Sequence, residues 1–290
     1  MSNYDVQYAN LVKDIIENGV WDKDQNVRTK WADGSSAYTK SLISRQLTFD
    51  NTEVPILTTK RVAWITAIKE LLWIWQKKDN NVDNLNDMGV HIWDEWKQKD
   101  GTIGKAYGYQ MGKKCRLKLG VDTSNGSPQP YVERLDQVQY LIWQLKTNPS
   151  SRRHLTTLWN IDDLDEMSLT PCVFLTQWLV KEGKLHLIVQ VRSNDIALGN
   201  PFNIFQYYVL QRMIAQVTNH ELGTLTFNIN DAHIYERHLE PLQEQVEREP
   251  FEAPTLWINP NVKNFDDFTI DDFKLIDYKY HPKIEMEVAI

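Results

Sequence analysis

Val173-Phe174-Leu175-Thr176-Gln177-Trp178-Leu179-Val180, the segment Lys181-Glu182-Gly183-Lys184, and Leu185-His186-Leu187-Ile188-Val189-Gln190-Val191 form the stretch that decides the fold. Two strand-length runs of β-branched, aromatic and aliphatic residues flank a short glycine-containing turn, which predicts a hairpin. Working outward, further strands are expected at His154–Trp159, Leu225–Ile229 and Ile284–Ile290. The last alternates Ile284, Met286, Val288 and Ile290 with Glu285, Glu287 and Ala289, as a half-buried strand should. Helical spacing marks residues 4–17 (Val6, Leu11, Val12, Ile15, Ile16, with Gly19 as the stop), 62–76 (Ile65, Ile68, Leu72, Trp75) and 134–146. The longest helix is predicted from about Pro201 to Thr218, capped by Asn200, with the proline at the first helical position where its missing N–H costs nothing. Strands and helices interleave without a regular βαβ repeat, and no G-x-G-x-x-G follows a strand. The expectation is an α+β fold around one large sheet.

Nothing divides the chain. Gly120 to Tyr131 is rich in Gly, Ser, Pro and Asn and reads as an exposed loop, too short to separate domains, so residues 1–290 are expected to form a single catalytic domain. The 32 Lys+Arg against 39 Asp+Glu give a formal net charge of -7, which argues against a chain that coats nucleic acid or an anionic membrane. The two cysteines, Cys115 and Cys172, form no paired framework and suit a reducing cytosol. The N-terminus lacks a basic and apolar leader pattern, and no apolar run approaches the roughly 20 residues of a membrane span. A soluble, cytoplasmic chain is expected. Asn125-Gly126-Ser127 matches a glycosylation sequon and is read as a chance match in such a chain.

Several residues invite chemistry, and each has a plainer reading beside it. Cys172, at the entry to the first strand of the hairpin, is either an inert core thiol or a nucleophile. The hairpin returns Arg192 beside it, and a nearby cation favours the thiolate. Arg152-Arg153, Arg192-Ser193 and Arg28-Thr29 are either solvated faces or parts of a phosphate site, since guanidinium forks and hydroxyls match phosphate oxygens. Glu70 is a surface carboxylate or, if it faces a cleft among aromatics, a desolvated acid/base. His233 and Tyr235 follow a strand and can donate hydrogen bonds from its end. His233 and His238 are spaced poorly for a metal and have no third candidate, so no metal is expected. Asn203 sits in the first turn of the long helix; its amide either bonds nearby backbone or offers the donor–acceptor pair that matches the edge of uracil. Eleven tryptophans could build a stacking platform, yet Trp73 and Trp75 fall at apolar helix positions and the net charge is negative, leaving RNA binding without support.

Taken together, Arg28-Thr29, Lys69-Glu70-Leu71-Leu72-Trp73, Ile92-Trp93-Asp94-Glu95-Trp96, Ser151-Arg152-Arg153, Thr170-Pro171-Cys172, Arg192-Ser193-Asn194-Asp195, Gly199-Asn200-Pro201-Phe202-Asn203 and His233-Ile234-Tyr235 resemble the folate-dependent, flavin-independent thymidylate synthase family across almost the whole chain. The resemblance implies a mixed sheet with packed helices and a homodimer formed through the sheet. It implies reductive methylation of dUMP to dTMP, with 5,10-methylenetetrahydrofolate as cosubstrate and neither flavin nor metal. Cys172 would add to uracil C6, Glu70 would organise water and proton transfers, Tyr107 would lie near the C5 proton, and Asn203 would read the base. Arg28, Arg192 and Ser193 would hold the phosphate, joined by Arg152 and Arg153 of the partner subunit. His233 and Tyr235 would bond the deoxyribose hydroxyl. Asp195 would bond the pterin, Trp93 and Trp96 would pack around folate and nucleotide, and Val288-Ala289-Ile290 would close over the ligands. A deoxyuridylate hydroxymethylase on the same scaffold, with water in place of hydride, is the alternative; Asn203 argues against a deoxycytidylate version. The sequence departs from the family pattern at Val173, where many members carry histidine, at Val191, where glutamine is usual, and in Thr29-Lys30-Trp31-Ala32-Asp33-Gly34, which lacks the frequent glycine-rich run.

Overall fold

The computed structural model describes residues 2–124 and 126–290, so Asn125 of the sequon lies outside the described residues. In chain order the strands are β1 (Val20–Trp21), β2 (Thr39–Phe49), β3 (Arg116–Asp122), β4 (Gln129–Leu135), β5 (His154–Thr157), β6 (Val173–Lys181), β7 (Lys184–Val191), β8 (Asn194–Asp195), β9 (Glu221–Tyr235), β10 (Thr255–Ile258) and β11 (Phe273–Ile276). The α-helices are α1 (Asn3–Asn18), α2 (Trp64–Leu71), α3 (Val82–Asn86), α4 (Gly108–Gly112), α5 (Gln137–Thr147), α6 (Gly199–Thr218) and α7 (Leu239–Val246). One sheet runs β1-β2-β9-β7-β6-β5, with β8 also on β9. Its pairs are antiparallel except β7·β9 and β8·β9, which makes the sheet mixed and the architecture α+β.

The hairpin predicted from 173 to 191 forms as β6 and β7, with Val173 opposite Val191. Its register shifts between Val173 and Leu175, an irregularity that re-aims side chains at the strand end next to Cys172. One sheet face is apolar: Leu185, Leu187, Val189 and Val191 of β7 and Leu225, Phe227 and Ile229 of β9 are buried. Helix α6 packs on β7 and β9, and α1 packs on β2 and β9. The other face, with Ile188, Gln190, Thr226 and Asn228, is only half-buried. Helix α6 is buried nearly all round, as expected of a helix enclosed by other elements.

Several sequence expectations fail for physical reasons. The exposed loop expected at 120–131 is shorter: residues 120–122 and 129–131 are the ends of β3 and β4, which pair as an antiparallel hairpin, and turn-rich composition hid these strand ends because they are largely exposed. Residues 284–290 form no strand. Backbone bonds at the tail's end join Ile290 to Lys30 (Lys30 N–H to Ile290 O, 2.6 Å; Ile290 N–H to Lys30 O, 2.8 Å), and Val288 and Ile290 stay exposed. Asn200 does not cap the long helix, which already begins at Gly199. Its buried amide instead accepts from the Tyr4 hydroxyl at 2.8 Å and donates to Asn194 Oδ1 at 2.6 Å. Val6 and Ile65, expected on buried faces, are exposed. The second predicted helix is α2 followed by a π turn over Leu72–Gln76.

Candidate active site

The site grows from the strand ends of the hairpin. Cys172 immediately precedes β6 and Arg192 follows β7, and the Arg192 N–H donates to the Cys172 carbonyl at 2.9 Å, which is the juxtaposition expected from spacing. The Arg192 guanidinium donates to Pro171 O (3.0 Å), Thr170 O (2.9 Å) and Thr170 Oγ1 (2.9 Å), fixing its fork beside the cysteine. Burial pushes the Cys172 thiol up, while the charge of Arg192 opposes that and Asp195 adds to it. Burial therefore favours the thiol form of Cys172.

Cys172 lines a cavity of about 370 Å³ together with Glu70, Trp93, Trp96, Tyr107, Asp195, Asn203, Tyr235 and Ala289. With Val288, which lines it too, ten residues picked out in the sequence thus meet in one cleft. The surface reading of Glu70 is overturned: it is 6% exposed at the end of α2, accepting from Trp93 Nε1 and Gln206 Nε2, both at 2.5 Å. Burial raises its carboxyl despite those two bonds. Tyr107 has φ +42°, an uncommon conformation for a residue with a side chain. The next residue must be glycine, because a Cβ on Gly108 would lie 1.8 Å from the Asp79 carbonyl oxygen. The Tyr107 hydroxyl accepts from the Cys172 N–H at 3.3 Å, and burial raises its pKa well above the ordinary value. Trp93 stands edge-on to both Tyr107 (5.1 Å) and Trp96 (5.7 Å), giving one aromatic wall. Asp195 Oδ1 accepts from Ala197 N–H (2.8 Å) and Leu198 N–H (3.2 Å), which ties the carboxylate to its own loop.

The remaining predicted residues lie outside this lining. Arg192 and Ser193 continue the chain beside it. His233 is buried on β9, paired in register with Asp195 and bonded through Nδ1 to Asp231 at 2.9 Å. Arg28 is exposed on the loop next to Tyr235, while Arg152 and Arg153 are exposed at the start of β5. The exposed arginines are not gathered around the cavity within one chain.

The sequence reading missed the residues that hold the loop from Asn194 to Asn200. Tyr8 donates to Ile196 O at 2.9 Å, Tyr4 bonds Asn200, and the buried Lys60 ammonium donates to Ala197 O. Burial lowers Lys60 to about 8, with Asp195 opposing. Tyr4 and Tyr8, four apart on the apolar face of α1, were the available signal. Gln206, one turn beyond Asn203 on α6, was the signal for the partner of Glu70. Among the described residues no His/Cys/Asp/Glu group is arranged to hold a metal, and no helix is long and apolar enough to cross a membrane.

Comparison with known proteins agrees with this geometry. The family model described as thymidylate synthase matches residues 6–290. Thymidylate synthase of Bacillus subtilis subsp. natto is 64% identical over 291 aligned residues, covering 100% of both chains, and that of Bacillus phage phi3T is likewise 64% identical over 100% of both. The solved structure of thermostable thymidylate synthase A from Bacillus subtilis superposes with a TM-score of 0.93 at 64% identity, again over 100% of both chains. With the fold, the cysteine-centred cleft and full-length identity in agreement, the chain belongs to the thymidylate synthase family.

Proposed function

We propose that this protein is a methyltransferase that converts dUMP to dTMP, using 5,10-methylenetetrahydrofolate as the source of both carbon and hydride. The observation that carries the reading is Cys172 at the wall of an aromatic cleft, with Arg192 locked against its backbone and Glu70 and Tyr107 lining the same cavity. Uracil C5 is a poor nucleophile until a sulfur adds at C6, so the chemistry requires a covalent partner, and Cys172 Sγ is the one in the cleft. Its addition places negative charge on the C4–O4 side of the ring, where fixed donors stabilise it. Asn203 supplies an amide for the base edge.

Glu70, its carboxyl raised by burial, is suited to exchange protons with the reacting groups through ordered water. Tyr107, beside the Cys172 backbone and kept in its O–H form, is the group for the proton at C5. The cleft suits a folate: Ile92, Trp96, Leu198 and Phe202 give flat apolar walls, and Asp195 presents a carboxylate to the N–H donors of a pterin. When bound, the folate supplies the one-carbon unit and the hydride that reduces it, leaving as dihydrofolate. Trp93 stiffens the wall, and Val288 and Ala289 cover the cleft against water. His233 and Tyr235, stacked edge-on at 5.3 Å, are the pair for the deoxyribose hydroxyl.

Arg28, Arg192 and Ser193 are the phosphate anchors in one chain, with Arg152 and Arg153 coming from the partner subunit of a homodimer. The half-buried sheet face, with Ile43 at 78% and Leu155 at 42% exposure, supports a dimer through the sheet. Two unpaired cysteines fit a cytoplasmic setting.

The test is incubation with dUMP and 5,10-methylenetetrahydrofolate. Expected is dTMP by mass, formed in step with the absorbance of dihydrofolate. A hydroxymethyl nucleotide with tetrahydrofolate retained would overturn the reading in favour of water addition. Cys172→Ala should keep its fold by circular dichroism and lose turnover by on the order of 10³-fold or more.

A further inference from the structure

Opposite the aromatic wall, the C-terminal tail and the loop that carries Arg28 are joined by charge. Arg237 Nη1 donates to Glu287 Oε2 at 2.7 Å, and its Nη2 donates to Asp33 Oδ2 at 2.6 Å and Ser35 Oγ at 3.1 Å. The guanidinium lies 4.7 Å from the ring centre of Trp31, a buried residue that packs edge-on at 5.8 Å against cavity-lining Tyr235. Glu287 Oε1 also accepts from the Ala32 N–H at 2.9 Å, and the reciprocal backbone bonds between Lys30 and Ile290 close the other end. The two residues between these stitches, Val288 and Ala289, are the ones that line the cleft. Hydrogen bonds from Ser35 and from Arg237 hold Asp33 below its ordinary range. The Ala32 N–H and Arg237 do the same for Glu287, so both are charged at neutral pH.

We propose that Arg237 is a positioning residue that couples the Arg28 loop to the C-terminal tail, so that ordering one by the nucleotide phosphate orders the other over the folate. The inference rests on the proposed roles of Arg28 and the tail. A planar fork serves two carboxylates at once, which a lysine could not do with the same geometry. The loop Thr29-Lys30-Trp31-Ala32-Asp33-Gly34 is held by Trp31 and Asp33 where a glycine-rich loop would have nothing for the arginine to grip. Coupling of this kind is reciprocal: a change on the tail is felt by phosphate affinity, and a change on the loop is felt by folate affinity.

The experiment uses the full chain with Arg237→Met, which keeps an aliphatic stem over Trp31, and with Glu287→Gln and Asp33→Asn separately. Dissociation constants for dUMP and for deoxyuridine, which lacks the phosphate, are measured at low and high salt, with KM for 5,10-methylenetetrahydrofolate at saturating dUMP. Expected is a cross-effect: Glu287→Gln weakens dUMP about fivefold with deoxyuridine unchanged, and Asp33→Asn raises the folate KM by a similar factor, the low end of measured couplings. Both effects should shrink at high salt, because the groups are partly exposed. Equal weakening of dUMP and deoxyuridine, or no cross-effect, overturns the coupling. Should Arg237→Met fail to fold, the two carboxylate variants at the surface still decide it. A wild-type protein that bound dUMP no better than deoxyuridine would remove the phosphate reading itself, and the coupling with it.

Discussion

At the scale of single residues, the informative groups are those whose surroundings contradict their chemistry. Glu70 is a buried carboxylate, its pKa raised by burial even though Trp93 and Gln206 both donate to it. Its folded pKa lies above the usual 4.5, so the native state binds more protons than the unfolded chain between those two values. Stability contributed by this site is therefore highest below that window and falls as pH rises through it. Glu70→Gln, which removes the charge and keeps an acceptor for Trp93, should melt above wild type at pH 8 and lose that advantage toward pH 4.5, while turnover collapses. Calorimetric melts at the two pH values check this; an advantage that grows on acidification would show that desolvation does not dominate. Neither burial of Glu70 nor strain at Tyr107 was visible in composition, because both depend on what the rest of the chain places around them.

At the scale of elements, the N-terminal helix is the support behind the active-site loop. Tyr8 bonds Ile196 O and Tyr4 bonds Asn200, while Asp5 accepts from the backbone and hydroxyls of Thr58 and Thr59, next to Lys60. Tyr8→Phe keeps the ring in the core and leaves a buried carbonyl without its donor, so unfolding should cost about 1 to 2 kcal/mol less. Because the freed carbonyl belongs to the loop of Asp195, the folate KM should rise more than the dUMP KM; equal changes would mean the tyrosine only stabilises. On the other side, Asp163 accepts from Gln110, Lys113 and Asn160 and pairs with Lys105, bonds that pull its carboxyl down to about 2. Its stabilising contribution is present above the unfolded value near 3.8 and is lost as pH falls toward 2. Denaturant titrations of wild type and Asp163→Asn should differ at pH 6 and converge as pH approaches 2.

At the scale of the whole molecule, the arginines are divided. Arg192 stands at the cleft, whereas Arg152 and Arg153 point to solvent at the start of β5 within their own chain. A homodimer resolves this if each chain lends its pair to the neighbouring site. An inactive Cys172→Ala chain mixed with an inactive Arg152→Glu/Arg153→Glu chain should then regain activity after subunit exchange, since one hybrid site has both the sulfur and the arginines. No recovery in a mixture shown to contain hybrid dimers would place all the anchors in one subunit. The chain's order of residue types already specified the family, the β6–β7 hairpin, the pairing of Cys172 with Arg192 and the presence of the long helix α6, because each depends on local period or on strand geometry. Strand β2 escaped because Ser44, at φ +57°, interrupts its alternation and leaves only Leu47 and Phe49 buried among polar neighbours. The β3–β4 hairpin escaped because it buries too little for a pattern to form. The tail at 284–290 carried a strand's alternation and made no strand, because the main-chain partner it meets is Lys30. Which carboxylate is buried, which tyrosine is strained and which arginine clasps the tail were decided by tertiary packing alone. Desolvation and hydrogen-bond geometry are properties of neighbours in space, and periodicity along the chain does not encode them.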